Sequence, residues 1–233
     1  LINIQLNIEK LEKDIAAICR SCGRDPAEIK IVAVSKTKPV SKIRDALEAG
    51  IVDFGENYIQ EAEEKYELLK ESHIKWHFIG SVQTNKVKHL TKFCSLLHSL
   101  DRESLVEALQ KRLEFENRTM DALFQINTSG ESTKSGIDPA KTIEFAEFIS
   151  KHDRIKIKGL MTIAENSDDE KSVRQNYKQL KQLFEEVKVL HLPNFEMKEL
   201  SMGMSGDYKI AIEEGATIVR IGSTIFGARE YKK

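Results

Sequence analysis

Strand-length apolar runs and helix-length amphipathic runs alternate along this 233-residue chain, and that alternation limits its fold more than any composition figure does. Strands are predicted at 31–36, 51–54, 75–79, 95–99, 121–127, 155–161, 197–201 and 217–221. Helices are predicted between them at 40–49, 57–71, 84–92, 103–117, 139–151, 168–190 and 205–214, after an amphipathic helix from about Ile4 to Cys22. Gly50 and Gly215 stand where helices should stop, and Asp101, Asp138 and Ser205 stand where N-caps belong. Short links between β and α elements imply parallel strands with helical crossovers. Eight such units imply an α/β fold closed into one (β/α)8 TIM barrel over 31–230, with residues 1–25 as an extra N-terminal helix. An open doubly wound sheet is the competing architecture, but it would usually carry a glycine-rich first turn, and "SKTKPVS" contains no glycine. No Pro/Gly/Ser-rich linker or low-complexity tract divides the chain, so 1–233 reads as a single domain.

Composition narrows the function classes. With 40% hydrophobic and 31% charged residues the chain can bury a real core, and a net charge of -1 gives no field that would favour nucleic acid or an anionic membrane. No apolar run reaches the roughly 18–20 residues of a membrane span, and "LINIQLNIEK" is too polar for a signal peptide. A cytoplasmic protein is expected, and because the chain opens on Leu1, an earlier start or processing is expected too. Cys19, Cys22 and Cys94 are too few and odd in number for a disulfide framework, which fits a reducing compartment. Cys19 and Cys22 form a CxxC with no strand before it and no second pair, so they read as two cysteines at a helix end and no metal site is assigned. The Asn127-Thr128-Ser129 glycosylation pattern reads as idle.

Chemistry should gather at the C-terminal strand ends, where barrels of this kind place their sites. In "IVAVSKTKPV", alternation puts Val32, Val34 and Lys36 on one face and Ile31, Ala33, Ser35 and Thr37 on the other, so Lys36 ends a buried row. Lys38, beside Pro39, is expected outside. "GEN" at 55–57 ends the second strand and "HFIG" at 77–80 the third. "SMGMSGD" follows the seventh and "RIGST" the eighth, the pair of loops where such barrels often bind phosphate. Ser201 and Ser223 offer hydroxyls, Gly203, Gly206 and Gly222 allow backbone N–H groups to approach an anion, and a helix starting near Ser205 adds its positive end. In "TIVRIG", Ile218, Arg220 and Gly222 share a face, which aims Arg220 at the barrel mouth or at a carboxylate. A lysine amine, with a reference pKa of about 10.4, becomes a useful nucleophile near neutrality only if burial lowers it by about three units. Lysine, arginine and a phosphate cradle in one mouth point to pyridoxal 5'-phosphate, with its aldehyde on Lys36, its phosphate at the last two loops and its ring nitrogen near Arg220.

The ordered stretches "AVSKTKP", "FGENYIQE", "WHFIGSVQTNK", "KSGI", "GLMTIA", "ELSMGMSGD" and "VRIGSTIFGARE" resemble the successive motifs of the pyridoxal phosphate homeostasis protein family, over about 31–230. One departure is Ala164 after "LMTI", where proline is often found. The resemblance implies a monomeric barrel similar to the alanine racemase N-terminal domain, with the cofactor as a covalent aldimine on Lys36. It further implies that Ser201, Gly222 and Ser223 hold the phosphate, that Arg220 approaches the pyridine nitrogen and that Asn57 and His77 line the ring pocket.

Arginine donates but does not accept, so it disfavours a protonated ring nitrogen and weakens the ring as an electron sink. A non-catalytic carrier is therefore expected, buffering pyridoxal phosphate and extending to delivery to apo-enzymes. Two alternatives stand beside it. An amino-acid racemase or isomerase would need an opposing second base, which by resemblance the alanine racemases supply from an additional domain and a dimer partner. A cofactor-free class I aldolase would use Lys36 directly on a phosphorylated carbonyl substrate. Lys38, Lys86 and Lys134 are expected in solvent-facing loops.

Overall fold

The computed structural model describes residues 2–131, 133–165 and 167–228. Eight parallel strands close in sequence order, the last pairing with the first. They are β1 (Lys30–Val34), β2 (Asp53–Glu56), β3 (Lys75–Phe78), β4 (Cys94–Leu100), β5 (Met120–Gln125), β6 (Ile155–Met161), β7 (Phe195–Met204) and β8 (Ile218–Ile221). The helices are α1 (Ile4–Cys22), α2 (Val40–Glu48), α3 (Ile59–Leu68), α4 (Val87–Leu90), α5 (Glu103–Phe115), α6 (Thr142–Ser150), α7 (Glu170–Lys188), α8 (Tyr208–Glu213) and α9 (Ser223–Phe226). The single (β/α)8 barrel expected from the alternation is the observed fold. Residues 229 and 230, which end the last of the resembling stretches, lie outside the described residues.

The extra helix has a place in the ring. Its apolar positions Ile4, Ile8, Leu11, Ile15 and Ile18 recur at helical spacing and are all buried. Asn3 caps it by accepting from the Leu6 N–H at 3.0 Å, and Gly23, at φ 71°, ends it. It packs against α8, α2 and α9. Because α9 is only four residues long, α1 covers the flank that a full eighth barrel helix would otherwise cover. Cys19 is buried on this helix and the Cys22 thiol donates to the Cys19 carbonyl at 3.5 Å. No group of three or more His, Cys, Asp or Glu side chains that could hold a metal ion occurs among the described residues.

Two apolar layers follow from period-two alternation. Ala33, Phe54, Trp76, Leu97, Phe124, Leu160 and Val219 face outward into the shell between sheet and helices. Val32, Leu96, Leu123, Met161 and Ile218 form a separate cluster inside the barrel. Gly159 keeps β6 against β7: its φ is +154°, and a Cβ there would lie 1.8 Å from the Glu199 carbonyl oxygen.

Several boundaries differ from the sequence reading. β1 ends at Val34, and α3 begins at Ile59, so Lys36 and Asn57 lie on loops. The segments at 84–86 and 139–141 are 3-10 turns leading into α4 and α6, and a further 3-10 turn at 26–28 and α9 were not anticipated. Asp138 caps as expected, accepting from the Ala140 N–H. Asp101 instead pairs with Arg102, which occupies the N-cap position of α5. The helix expected near Ser205 starts at Tyr208, because the Asp207 carboxylate and the Met204 backbone first close a turn. Among the described residues no helix is long and apolar enough to cross a membrane.

Replacing Gly159 by alanine forces two backbones apart where neither can yield. The expected outcome is a loss of about 3 kcal/mol or more in unfolding free energy, read from the urea midpoint.

Candidate functional site

A cavity of about 330 Å³ opens at the C-terminal end of the barrel. Lys36, Asn57, Arg220, Gly222 and Ser223 all line it, five of the seven residues the sequence reading assigned. The parity argument explains the convergence. Val34, Ile79 and Ile163 continue the inward rows of β1, β3 and β6 and form apolar walls, while Lys36 stands one inward step beyond Val34. Val32 pairs in register with Arg220, so the inward rows of β1 and β8 run side by side into the same mouth.

Asn57 is set by a close backbone approach. A Cβ on Gly80 would lie 2.2 Å from the Asn57 carbonyl oxygen, so only glycine lets the two loops meet. Asn57 Oδ1 is buried with no hydrogen-bond partner among the described residues. Across the cavity, Ser205 Oγ accepts from the backbone N–H groups of Gly222 and Thr224 at 3.3 and 3.4 Å. Both bonds are long, so an anionic oxygen would be the better acceptor for those donors.

Arg220 is only 3% exposed, and its guanidinium donates to Ser201 Oγ at 2.7 Å and to the Thr162 carbonyl at 2.8 Å. No carboxylate forms an ion pair with it among the described residues. Burial lowers its pKa, and the nearby Tyr177 and Asp207 oppose that shift.

The Arg220 contact begins a hydrogen-bonded chain through the barrel. Ser201 Oγ meets His98 Nδ1 at 2.9 Å, His98 Nε2 meets His77 Nδ1 at 2.8 Å, and His77 Nε2 meets Asp53 Oδ1 at 2.8 Å. With both imidazoles neutral, every donor finds an acceptor: guanidinium to hydroxyl, hydroxyl to His98, His98 to His77, His77 to carboxylate. Burial, and then electrostatic interaction with His77, Arg220 and Lys30, holds His98 well below the ordinary imidazole range. Burial would raise the Asp53 carboxyl, but its His77 hydrogen bond and electrostatic interaction with His77, Lys30 and Lys75 outweigh that and lower it.

This chain corrects two assignments. His77 does not line the ring cavity: it lies one inward step below Ile79 and faces a second cavity at the N-terminal mouth, with Asp53 and Lys30. Ser201 does not line it either, being fully buried with its hydroxyl committed to Arg220 and His98. Ser205 is the serine of "SMGMSGD" that reaches the cavity. The expectation for Lys38 also changes. It is half-buried, lines the cavity, and donates to the carbonyls of Phe226, Gly227 and Ala228 at 3.3, 3.4 and 3.3 Å. Lys134 is half-buried too, donating to the Ala164 carbonyl at 3.0 Å.

The sequence profile of the alanine racemase N-terminal domain matches residues 6–230. The pyridoxal phosphate homeostasis protein of Aquifex aeolicus is 41% identical over 224 residues, covering 96% of each chain. The structure of PipY from Synechococcus elongatus with pyridoxal phosphate bound superposes with a TM-score of 0.81 at 32% identity, covering 91% of this chain and all of that one. An alanine racemase from Clostridium difficile shares the fold, with a TM-score of 0.78 at 13% identity, and this chain corresponds to 57% of it.

The depressed His98 fixes the sign of a pH effect. The unfolded imidazole takes up a proton near pH 6.5 and the folded one does not, so His98 contributes stability that is present above that pH and lost as pH falls toward its folded value. Urea unfolding from pH 7.5 down to 5.5 should show stability falling by up to about 1.4 kcal/mol per unit below pH 6.5. The slope should flatten in His98→Gln, which will also be less stable at pH 7.5.

Proposed function

Because the chain belongs to the pyridoxal phosphate homeostasis protein family, we propose that it binds pyridoxal 5'-phosphate at the C-terminal cavity and holds it reversibly without turning over a substrate. The observation that carries this reading is one cavity wall shared by Lys36 and Arg220. The residues present fit the group. A lysine amine suits an aldehyde, the Gly222 and Thr224 N–H groups with the Ser205 and Ser223 hydroxyls suit a phosphate, and the unpartnered Asn57 Oδ1 offers a polar contact beside the ring.

Bound pyridoxal phosphate supplies an aldehyde that condenses with an amine and a conjugated ring able to accept electron density. Arg220 would meet the ring nitrogen as a donor only and take no proton from it. Its fixed bonds to Ser201 and the Thr162 carbonyl hold the guanidinium in one orientation. The described residues that line the cavity include no carboxylate, imidazole, thiol or phenol to serve as a second acid or base. Lys38 gives its ammonium hydrogens to three carbonyls and is committed as a donor. These features support holding over reaction, and transfer of the held cofactor to apo-enzymes by a monomeric protein is the extension of the reading.

The purified protein loaded with pyridoxal phosphate should show a visible absorption band that borohydride bleaches. Lys36→Ala should lack the band, and incubation with amino acids in deuterated water should give no exchange of the α-proton above the free cofactor. Rapid exchange with turnover would replace the carrier reading by an isomerase; a parent that never loads would remove the cofactor.

A further inference from the structure

The turn that carries Lys36 is gripped from the outer side of the barrel by charges that do not line the cavity. The Lys38 N–H donates to the Ser35 carbonyl at 3.0 Å, which leaves Lys36 and Thr37 as the two central residues. Thr37 has φ +64°, the sign a type II turn takes at that position, where glycine is normal. A β-branched residue there is strained, and surrounding contacts must hold it.

Three side chains hold it. Lys65 of α3, 5% exposed, donates to the Ser35 carbonyl at 2.7 Å, to Glu56 Oε1 at 2.8 Å and to Glu61 Oε1 at 2.6 Å. Glu56, fully buried at the end of β2, also accepts from the Ser35 hydroxyl at 2.6 Å. Glu61 Oε1 also accepts from the Thr37 N–H at 2.5 Å. The Ser35 carbonyl thus has both lone pairs engaged, and the strained peptide before Thr37 is tied to α3. Glu56 Oε2 is sealed with no partner among the described residues, and burial pushes the Glu56 carboxyl up although Lys65 opposes it. Buried ion clusters of this kind are poor sources of stability, since well-packed apolar groups of similar volume often serve as well or better. Geometry is what the cluster supplies and an apolar replacement would not.

We propose that Glu56, Glu61 and Lys65 are positioning residues for Lys36, locking the Ser35–Lys38 turn so that the Lys36 side chain enters the cavity and Lys38 is turned to the C-terminal carbonyls. The proposal rests on Lys36 being the cofactor lysine. Its test uses the full chain with Lys65→Met, Lys65→Arg and Glu61→Gln, and with Glu64→Gln, exposed on the same helix, as control. In the cofactor-free protein, trace acetic anhydride labelling read by mass spectrometry gives the ratio of Lys36 to Lys38 modification. In the loaded protein, dilution into excess semicarbazide gives the rate at which pyridoxal phosphate is lost.

Lys65→Met and Glu61→Gln should change the labelling ratio by about threefold or more and speed cofactor loss about tenfold, with far-UV circular dichroism unchanged. Lys65→Arg should recover part of both effects, and Glu64→Gln should match the parent. Native dichroism with parental labelling and parental release in these variants overturns the proposal. If Lys65→Met fails to fold, Glu61→Gln decides, because its carboxylate is partly exposed. If the parent fails to load, the cofactor reading falls, and the labelling ratio still decides whether the cluster positions Lys36.

Discussion

Arg220 carries a charge into the middle of an apolar barrel, and much of the interior is arranged to keep it there. An uncompensated buried ion costs several kcal/mol. The structure meets that cost with a hydroxyl from β7 and a carbonyl just beyond β6, and then extends the hydroxyl through two imidazoles to a carboxylate at the start of β2. With His98 neutral, each link donates one way and the buried Ser201 hydroxyl hydrogen has an acceptor. Burial, and then electrostatic interaction with His77, Arg220 and Lys30, disfavours the protonated ring. The arginine that lines the cavity and the polar interior beneath it are one construction.

The cavity therefore has two supports on opposite sides of the sheet. Arg220 is held from within the barrel, through inward positions of β7, β4, β3 and β2. Lys36 is held from the outer shell, through Glu56 and the helix that follows it. Alternation along β2 feeds both: Asp53 points inward and ends the first network, while Glu56 points outward and anchors the second. In each case a polar network occupies space that packed apolar side chains could fill at no loss of stability, so the return is orientation of the two side chains at the mouth.

The architecture was legible because parallel strands buried on both faces leave long apolar runs, and because eight of them were spaced by amphipathic helices. Lys36, Arg220 and Gly222 were legible for a narrower reason: period-two parity near a strand end says which residues look inward, while Ser223 was legible as a hydroxyl in the loop after the eighth strand. Parity does not say how high in the barrel an inward residue sits. His77 and Ser201 both have the correct face and the wrong level, each one step below the cavity floor, and their partners come from strands that sequence spacing cannot align. Lys38 was misread because Pro39 marks a strand end but not the direction of the turn before it. That direction is decided by Glu61 and Lys65, residues that in sequence look like an ordinary solvated i,i+4 pair.

A barrel of this kind can hold a reactive aldehyde cofactor or use it, and the difference lies in what stands around the lysine. Use requires a group that can take and return a proton at the substrate carbon, placed opposite the lysine. Among the described residues, the polar groups around this mouth besides Lys36 are a donor-only guanidinium, an ammonium occupied by three carbonyls, hydroxyls and backbone N–H groups beside the last strand, and an amide. The histidines that could do acid–base work lie below the floor and are locked between a serine and a carboxylate, with one of them held neutral by burial. Both imidazoles are instead engaged in the chain that fixes Arg220, and under the proposed carrier reading that rigidity would serve to retain a bound ring.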